Sequence, residues 1–316
     1  MATEGLTGKR ILVTGVTGWV AGPLAISLAA LGNEVFGAAR FGDPMQRQSF
    51  EVAGVQTISI DMGKGRFDEV PDGLDHLLHF AVAKSQRFES ALATNAEGTA
   101  NLMAAVAETS PGVTMLHCSS TAVYEPNDGS PLKETDRLGD SHRLLPGMHT
   151  YSIAKIATEV LVQHTAKRLN IPTVIARLNV PYGDTYGWML FHLAMMEKGM
   201  DVPVYIDEPT AYSPIHADDI AASIPYLLEL ASTPPTIINW GGEAVASVEE
   251  WCRLMGSITG LTPGFAPTPA TLPTIIPDIT KQLDTGFRCT VDWRDGIRRM
   301  VHTSRPDLVL EGNVPE

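Results

Sequence analysis

The stretch Arg10-Ile11-Leu12-Val13-Thr14-Gly15-Val16-Thr17-Gly18-Trp19-Val20-Ala21-Gly22-Pro23-Leu24-Ala25 decides the fold. A short apolar run ends at Thr14, a glycine-spaced turn follows, and an apolar segment continues to Leu31. A strand that enters a helix through such a turn is the context a dinucleotide fingerprint requires. Gly15 permits the tight turn, Gly18 lets the backbone approach a pyrophosphate, and Ala21 is small enough for helix to pack on strand. Thr17, Trp19 and Val20 complete the turn, and the free N–H groups at the helix start favour bound negative charge. Alone this spacing is a weak signal, since strand-to-helix turns often carry glycine for geometry. Its place at the first strand–helix junction gives it weight.

Short β-branched runs then alternate with longer amphipathic ones. Strands are expected at Arg10 to Thr14, Glu34 to Ala39, Val55 to Ile60, His76 to Val82, Val113 to Cys118, Thr173 to Leu178 and Thr236 to Asn239. Helices are expected at about Gly18 to Leu31, Ala91 to Glu108 and His149 to Leu169. Alternation of this kind means βαβ units and a parallel sheet. The fold class is therefore α/β, a Rossmann-type doubly wound parallel sheet with a smaller C-terminal substrate-binding lobe. Residues 1–180 are expected to form the dinucleotide-binding domain and 181–316 the lobe, with about 213–240 returning to the sheet. Five prolines between Pro263 and Pro277 forbid a continuous helix there, so a surface loop or lid is expected.

The 316 residues carry 36 Asp and Glu against 23 Lys and Arg, a net charge of −13 with no basic block. Such a surface repels a phosphate backbone, which argues against nucleic acid as a partner. No apolar run reaches the ~18 residues of a membrane span. The opening Met1 to Gly8 carries Glu4 where a leader would be basic and then apolar. The expectation is a cytoplasmic protein without a membrane partner. Cys118, Cys252 and Cys289 are an odd, scattered set, read as small core residues.

Cofactor choice falls at the end of the second strand, where a carboxylate would accept hydrogen bonds from an adenosine ribose. Ala39-Arg40 stands there instead. Arg40 can pair with a 2′-phosphate and lie against the adenine, which favours NADP(H) over NAD(H); the other reading is a solvated strand-end arginine. Asp61-Met62 after the third strand would meet the adenine. Ala81-Val82-Ala83 after the fourth supplies the small side chains that a cofactor along the sheet edge needs.

Tyr151-Ser152-Ile153-Ala154-Lys155 puts a phenol and an ammonium one helical turn apart on one face. A phenol is a poor base at neutral pH, and a fixed positive charge nearby favours its phenolate. Cys118-Ser119-Ser120-Thr121-Ala122-Val123-Tyr124 ends a strand at the carboxyl edge of the sheet, where ligands of open α/β proteins bind. A hydroxyl there can hold a substrate oxygen while the tyrosine exchanges a proton with it. By itself Y-x-x-x-K more often means a half-buried tyrosine beside a snorkelling lysine.

These pieces resemble an extended short-chain dehydrogenase/reductase of the NAD(P)-dependent epimerase/dehydratase family. The matching segments run from Thr14 to Asp219 and include His79 to Ala83, Asn95 to Leu102, Ser119 to Tyr124, Tyr151 to Lys155, Arg177 to Gly183 and Ile215 to Asp219. The resemblance implies that Tyr151 is the general acid/base, that Lys155 also bonds the nicotinamide ribose, and that Ser120 orients the reacting oxygen. It implies that Asn95 supports the cofactor site, and that family members pair as homodimers through the helix holding Tyr151.

Three departures bear on the reaction. An aspartate of NAD-using members is replaced by Ala39. The arginine that sugar-nucleotide members carry before the His-x-Asp-Asp segment is Tyr212, which removes a diphosphate clamp. Asn179 stands one place early for its usual contact.

The expected activity is therefore NADP(H)-dependent hydride transfer to or from a carbonyl or secondary alcohol of a small, fairly apolar substrate. Ser120, Thr121, Tyr186, Trp188 and Met189 are its candidate binding residues. Two alternatives stand: a sugar-nucleotide epimerase or dehydratase that returns the hydride internally, and a non-catalytic NADP-sensing protein. No metal is expected, because His76 and His79 would point to opposite faces of a strand. Asp218 and Asp219 fit the start of a helix.

Overall fold

The computed structural model describes residues 6–207 and 209–310. Glu4, on which the leader argument turned, lies outside the described residues. Seven parallel strands form the central sheet in the order Thr236–Trp240, Thr173–Leu178, Thr114–Ser120, His76–His79, Arg10–Thr14, Glu34–Ala39 and Gln56–Ser59. From Arg10–Thr14 the chain runs outward to Glu34–Ala39 and Gln56–Ser59. It then crosses to His76–His79 on the other side, so strand order reverses beside Thr14. A crevice outside the carboxyl ends at such a reversal is where this architecture takes ligands.

Strands covered on both faces read as nearly continuous apolar runs, and Arg10–Thr14, Glu34–Ala39 and Thr173–Leu178 do, while the edge strand Gln56–Ser59 stays partly exposed. Ile11, Val13, Val35, Leu78, Leu116 and Val174 pack into one buried cluster that includes Leu24, Leu28, Ile220 and Ile224 of the helices Ala21–Ala30 and Ala217–Glu229. Leu12, Phe36, Leu77, Met115 and Ile175 face the other way, onto Leu102 and Val106 of Gly98–Thr109 and Val162 and Ala166 of Tyr151–Leu169. Each fully buried aliphatic side chain contributes about 1.5–3 kcal/mol, so the two layers hold the crevice walls rigidly.

A third buried cluster lies in the later chain. The helices Trp188–Glu197, Val248–Thr259 and Trp293–Ser304 contribute Met189, Trp251, Ile297 and Met300, packed with Tyr182 and Tyr212. Ser247 and Glu250 close a reciprocal capping box at the start of Val248–Thr259. The proline-rich segment is irregular as expected, apart from Phe265–Pro267, which pairs with Val202–Val204. It is not a free loop: Leu272 and Ile275 are buried, and Ile275 N donates to Ala211 O at 3.2 Å.

Two expectations need adjustment. The fourth strand stops at His79 instead of Val82, because Thr14 Oγ1 accepts the amides of Phe80 and Ala81, each at 3.2 Å, and bends the chain out of register. The helix expected from Ala91 begins at Phe88 and widens into a π-helix over Ala93–Glu97. Such widening commonly marks a functional position, and here it carries Asn95. Among the described residues no helix is long and apolar enough to cross a membrane, and no group of three or more His, Cys, Asp or Glu is placed to hold a metal ion.

Candidate active site

The cleft is built on the turn after the first strand. Gly15 adopts φ +78°, and a Cβ there would sit 2.8 Å from Ala81 Cα, so only glycine allows this turn to lie on the chain leaving the fourth strand. Its amide donates to Ala38 O at 2.8 Å and ties the turn to the second strand. The helix Ala21–Ala30 begins with no side-chain cap and no acidic residue in its first turn. Gly22 N turns back to Gly18 O at 3.2 Å and Pro23 has no N–H, so what the helix start offers a ligand is its positive end and the amides of the turn just before it. That donor set fits a dinucleotide pyrophosphate.

One cavity extends from the turn toward Arg40, walled by Gly15, Thr17, Gly18, Asp61, Met62, Ala81, Val82, Ala83 and Asn95. Arg40 is exposed at its rim and has no hydrogen-bond or ion-pair partner among the described residues. Asp61 is partly committed, accepting from Gly63 N at 3.1 Å and lying 3.6 Å from Lys64 Nζ. Asn95 spends both ends on the Ala83 backbone, accepting its N–H at 2.7 Å and donating to its C=O at 2.9 Å. It shapes the wall by holding that segment.

A second cavity opens on the other side of the turn and brings Gly15, Thr17, Gly18, Trp19 and Val20 together with Ser120, Tyr151 and Lys155. Ser120 is the last residue of its strand, and its Oγ accepts from Ala122 N at 3.1 Å, leaving its own proton free for a ligand. Tyr151 opens the helix Tyr151–Leu169, and Lys155 follows one turn later. Lys155 is buried; its Nζ donates to Cys118 O at 2.7 Å and lies 6.0 Å from the centre of the Tyr151 ring. Cys118 packs in the buried core as expected and also lines this cavity. Burial pushes its thiol up to about 11 despite the nearby ammonium.

Beneath the cleft His79 stacks on His117 at 5.4 Å. His79 is held by Thr14 Oγ1 at 2.8 Å and Thr99 Oγ1 at 2.9 Å. Burial, aided by the Lys155 charge, pushes His79 down to about 3 and His117 well below the usual histidine range. Both imidazoles are neutral, so the cations beside the reacting groups are Lys155 and, in the same cavity wall, Lys84.

The third cavity adjoins the second at Trp19, Lys84, Ser120, Tyr151, Asn179 and Pro181. Its remaining wall is largely apolar: Val180, Trp188, Tyr212, Leu272 and Ile275, with Thr121, Ser141 and His142 on one side. No carboxylate lines it. Tyr212 spends its hydroxyl on Leu272 O at 2.9 Å, and Asn179 bonds Thr121, Ile275 and Ser213, so neither is free for a ligand.

Among the expected substrate residues, Ser120, Thr121 and Trp188 line this cavity, but Tyr186 and Met189 do not. Met189 follows Trp188 by about 100° around the helix, which turns it into the lobe core, where it is fully buried. Tyr186 is buried against Trp19, with ring centres 6.3 Å apart. Lys84, His142, Leu272 and Ile275 were not anticipated. The clustered prolines that hold Leu272 and Ile275 were the only local sign of them.

Comparison with known proteins agrees with this architecture. A model described as the NAD dependent epimerase/dehydratase family matches residues 11–241. The dTDP-4-dehydro-6-deoxy-D-allose reductase of Streptomyces bikiniensis is 23% identical over 328 residues, covering 93% of this chain and 98% of that protein. UDP-glucuronate 4-epimerase 6 of Arabidopsis thaliana is 29% identical over 147 residues, 41% of this chain and 32% of that protein, so the match spans well under half of that epimerase. The solved structure of MoeE5 in complex with UDP-glucuronic acid and NAD aligns with TM-score 0.77 at 21% identity, covering 95% of this chain and 100% of that one. At that identity the likeness is one of fold.

Proposed function

We propose, for a chain that belongs to the NAD dependent epimerase/dehydratase family and is an enzyme of the extended short-chain dehydrogenase/reductase type, an NADP(H)-dependent oxidoreductase activity on a small, fairly apolar carbonyl or secondary alcohol. The observation that carries this reading is that Ser120 and Tyr151 line both the cavity over the glycine turn and the apolar cavity beside it. When bound, the nicotinamide supplies or takes up the hydride. In the reductive direction Ser120 donates to the carbonyl oxygen, and Tyr151 hands its proton to that oxygen as charge develops there. Lys155 then offsets the negative charge left on the phenol, in a site partly walled by Trp19, Pro181 and Leu178.

The preference for NADP(H) rests on Arg40, an unpaired guanidinium where no carboxylate meets the ribose. Gly15, Thr17, Gly18, Trp19 and Val20 would hold the phosphates, and Asp61, Met62 and Ala81 to Ala83 the adenosine side. A cavity of ≈ 210 Å³, below the ~300–1,000 Å³ of ordinary ligand sites, favours a small substrate. The proposal assigns residues 1–180 and about 213–240 to cofactor binding and the rest to the substrate lobe. It includes a homodimer through Tyr151–Leu169, where Val160 is exposed.

The relatives favour a second reading, in which the hydride returns to a sugar nucleotide and cofactor is not consumed. Incubation with NADPH and a panel of aryl and alkyl ketones and aldehydes, followed by nicotinamide absorbance, separates the two. Our reading requires cofactor loss matched by alcohol formed. No turnover of any carbonyl, with conversion of a nucleotide sugar at constant NADPH, would overturn it.

A further inference from the structure

We infer that His142 determines substrate specificity by accepting, through Nε2, a hydrogen bond from a hydroxyl carried next to the reacting carbonyl. The inference rests on the oxidoreductase reading for what reacts, and adds what sits beside it.

His142 lines the substrate cavity, is only 6% exposed, and its ring centre lies 5.0 Å from that of Tyr151. Its Nδ1 is turned toward two hydroxyls, Ser141 Oγ at 3.0 Å and Ser152 Oγ at 3.1 Å. Ser141 donates its own proton to Ala122 O at 3.0 Å, so toward His142 it is an acceptor. Ser152 Oγ can act as donor or acceptor toward Nδ1, so the Nδ1–H tautomer is itself part of the inference; in it Nε2 is a lone pair without a partner among the described residues. Burial, aided by the Lys84 charge, pushes the imidazole down to about 4, which keeps the ring neutral at neutral pH.

Lys84 also lines the cavity and its charge acts on His142, while most of the other polar groups are already committed. Tyr212 and Asn179 are tied to main chain and to each other's neighbours, and Thr121 Oγ1 accepts from Asn179 at 2.9 Å. Ser120 and Tyr151 face the reacting oxygen. An acceptor set beside those two donors matches a substrate that presents an O–H next to its C=O, and an analogue lacking it forgoes that hydrogen bond.

The test compares wild type, His142→Leu and His142→Gln on two probe pairs, hydroxyacetone against acetone and α-hydroxyacetophenone against acetophenone. In wild type the hydroxyketone should be favoured in kcat/KM with NADPH by about tenfold, the worth of one good hydrogen bond. The Leu variant should bring the ratio near one, and Gln, whose amide oxygen can accept, should restore part of it. Proton–nitrogen correlation NMR of the His142 ring supplies a readout independent of turnover. It should show an Nδ1–H tautomer, with Nε2 shifting on addition of the hydroxyketone and not of its parent ketone. A selective shift without turnover would support His142 and sink the oxidoreductase reading. Turnover with an unchanged ratio in His142→Leu, or an Nε2–H tautomer, would overturn the inference and leave that reading standing.

Discussion

The ammonium of Lys155 donates to the main-chain oxygen of Cys118 at 2.7 Å, and so joins the helix that begins at Tyr151 to the strand that ends at Ser120. A buried charge with a single neutral partner among the described residues is a stability cost kept for chemistry. Lys155→Met should lower kcat by about a hundredfold or more. In urea unfolding the same variant should be at least as stable as wild type. A strongly destabilised but active variant would contradict the role.

Arg177 and Glu159 form a buried ion pair at 2.8 Å, and Glu159 also accepts the hydroxyl of Ser119, next to Ser120. Glu159→Gln or Arg177→Met strands one buried charge and should cost about 3–5 kcal/mol of unfolding free energy. Because each single change removes the same interaction, the double variant should lose much less than the sum. Chemical denaturation of the four proteins checks this.

Arg40→Gln should weaken NADPH binding by about tenfold or more while leaving NADH nearly unaffected, the loss expected for one charge-assisted contact to a phosphate. Titration of both cofactors, followed by the quenching of protein fluorescence, measures the ratio. Equal losses for the two would mean that Arg40 does not read the 2′-phosphate.

His79 and His117 give the protein an acid limit. Both sit below the ordinary 6.5 when folded, first through burial and then through Lys155. The unfolded chain therefore binds two protons that the folded chain refuses. Stability is full above about pH 6.5 and falls as pH drops toward 3, by about 1.4 kcal/mol per unit for each histidine. Neither ring nitrogen of His117 has a partner among the described residues, so His117→Leu removes no hydrogen bond there. It should reduce the slope of unfolding free energy between about pH 6 and 4 by about 1.4 kcal/mol per unit, the share of one histidine, with the other buried histidines, such as His142 and His192, keeping theirs. An unchanged slope would contradict the assignment.

The sheet was legible because buried parallel strands must be apolar on both faces, and runs such as Ile11 to Val13 and Val174 to Ala176 carry that demand locally. Gly15, Tyr151 and Lys155 were legible for a similar reason, since their spacing is itself the chemistry. The helix Pro44–Val52 escaped notice although Asp43 accepts from Met45 N and Pro44 opens it, because its face is mostly polar and only Phe50 is buried. His142 could not be foreseen. Its role depends on Ser152, ten residues on, and on a cavity closed by Leu272 and Ile275 from a distant, proline-rich stretch. Met189 was misread because an apolar stripe does not say which of its members faces the core.

The account turns on Tyr151 as the group that trades a proton with the substrate oxygen beside the nicotinamide. Single-turnover kinetics of Tyr151→Phe with saturating NADPH and a reactive ketone test this most directly. We predict a hydride-transfer rate lower by about 10²–10⁴-fold with NADPH affinity unchanged; a rate within a few fold of wild type would contradict the claim.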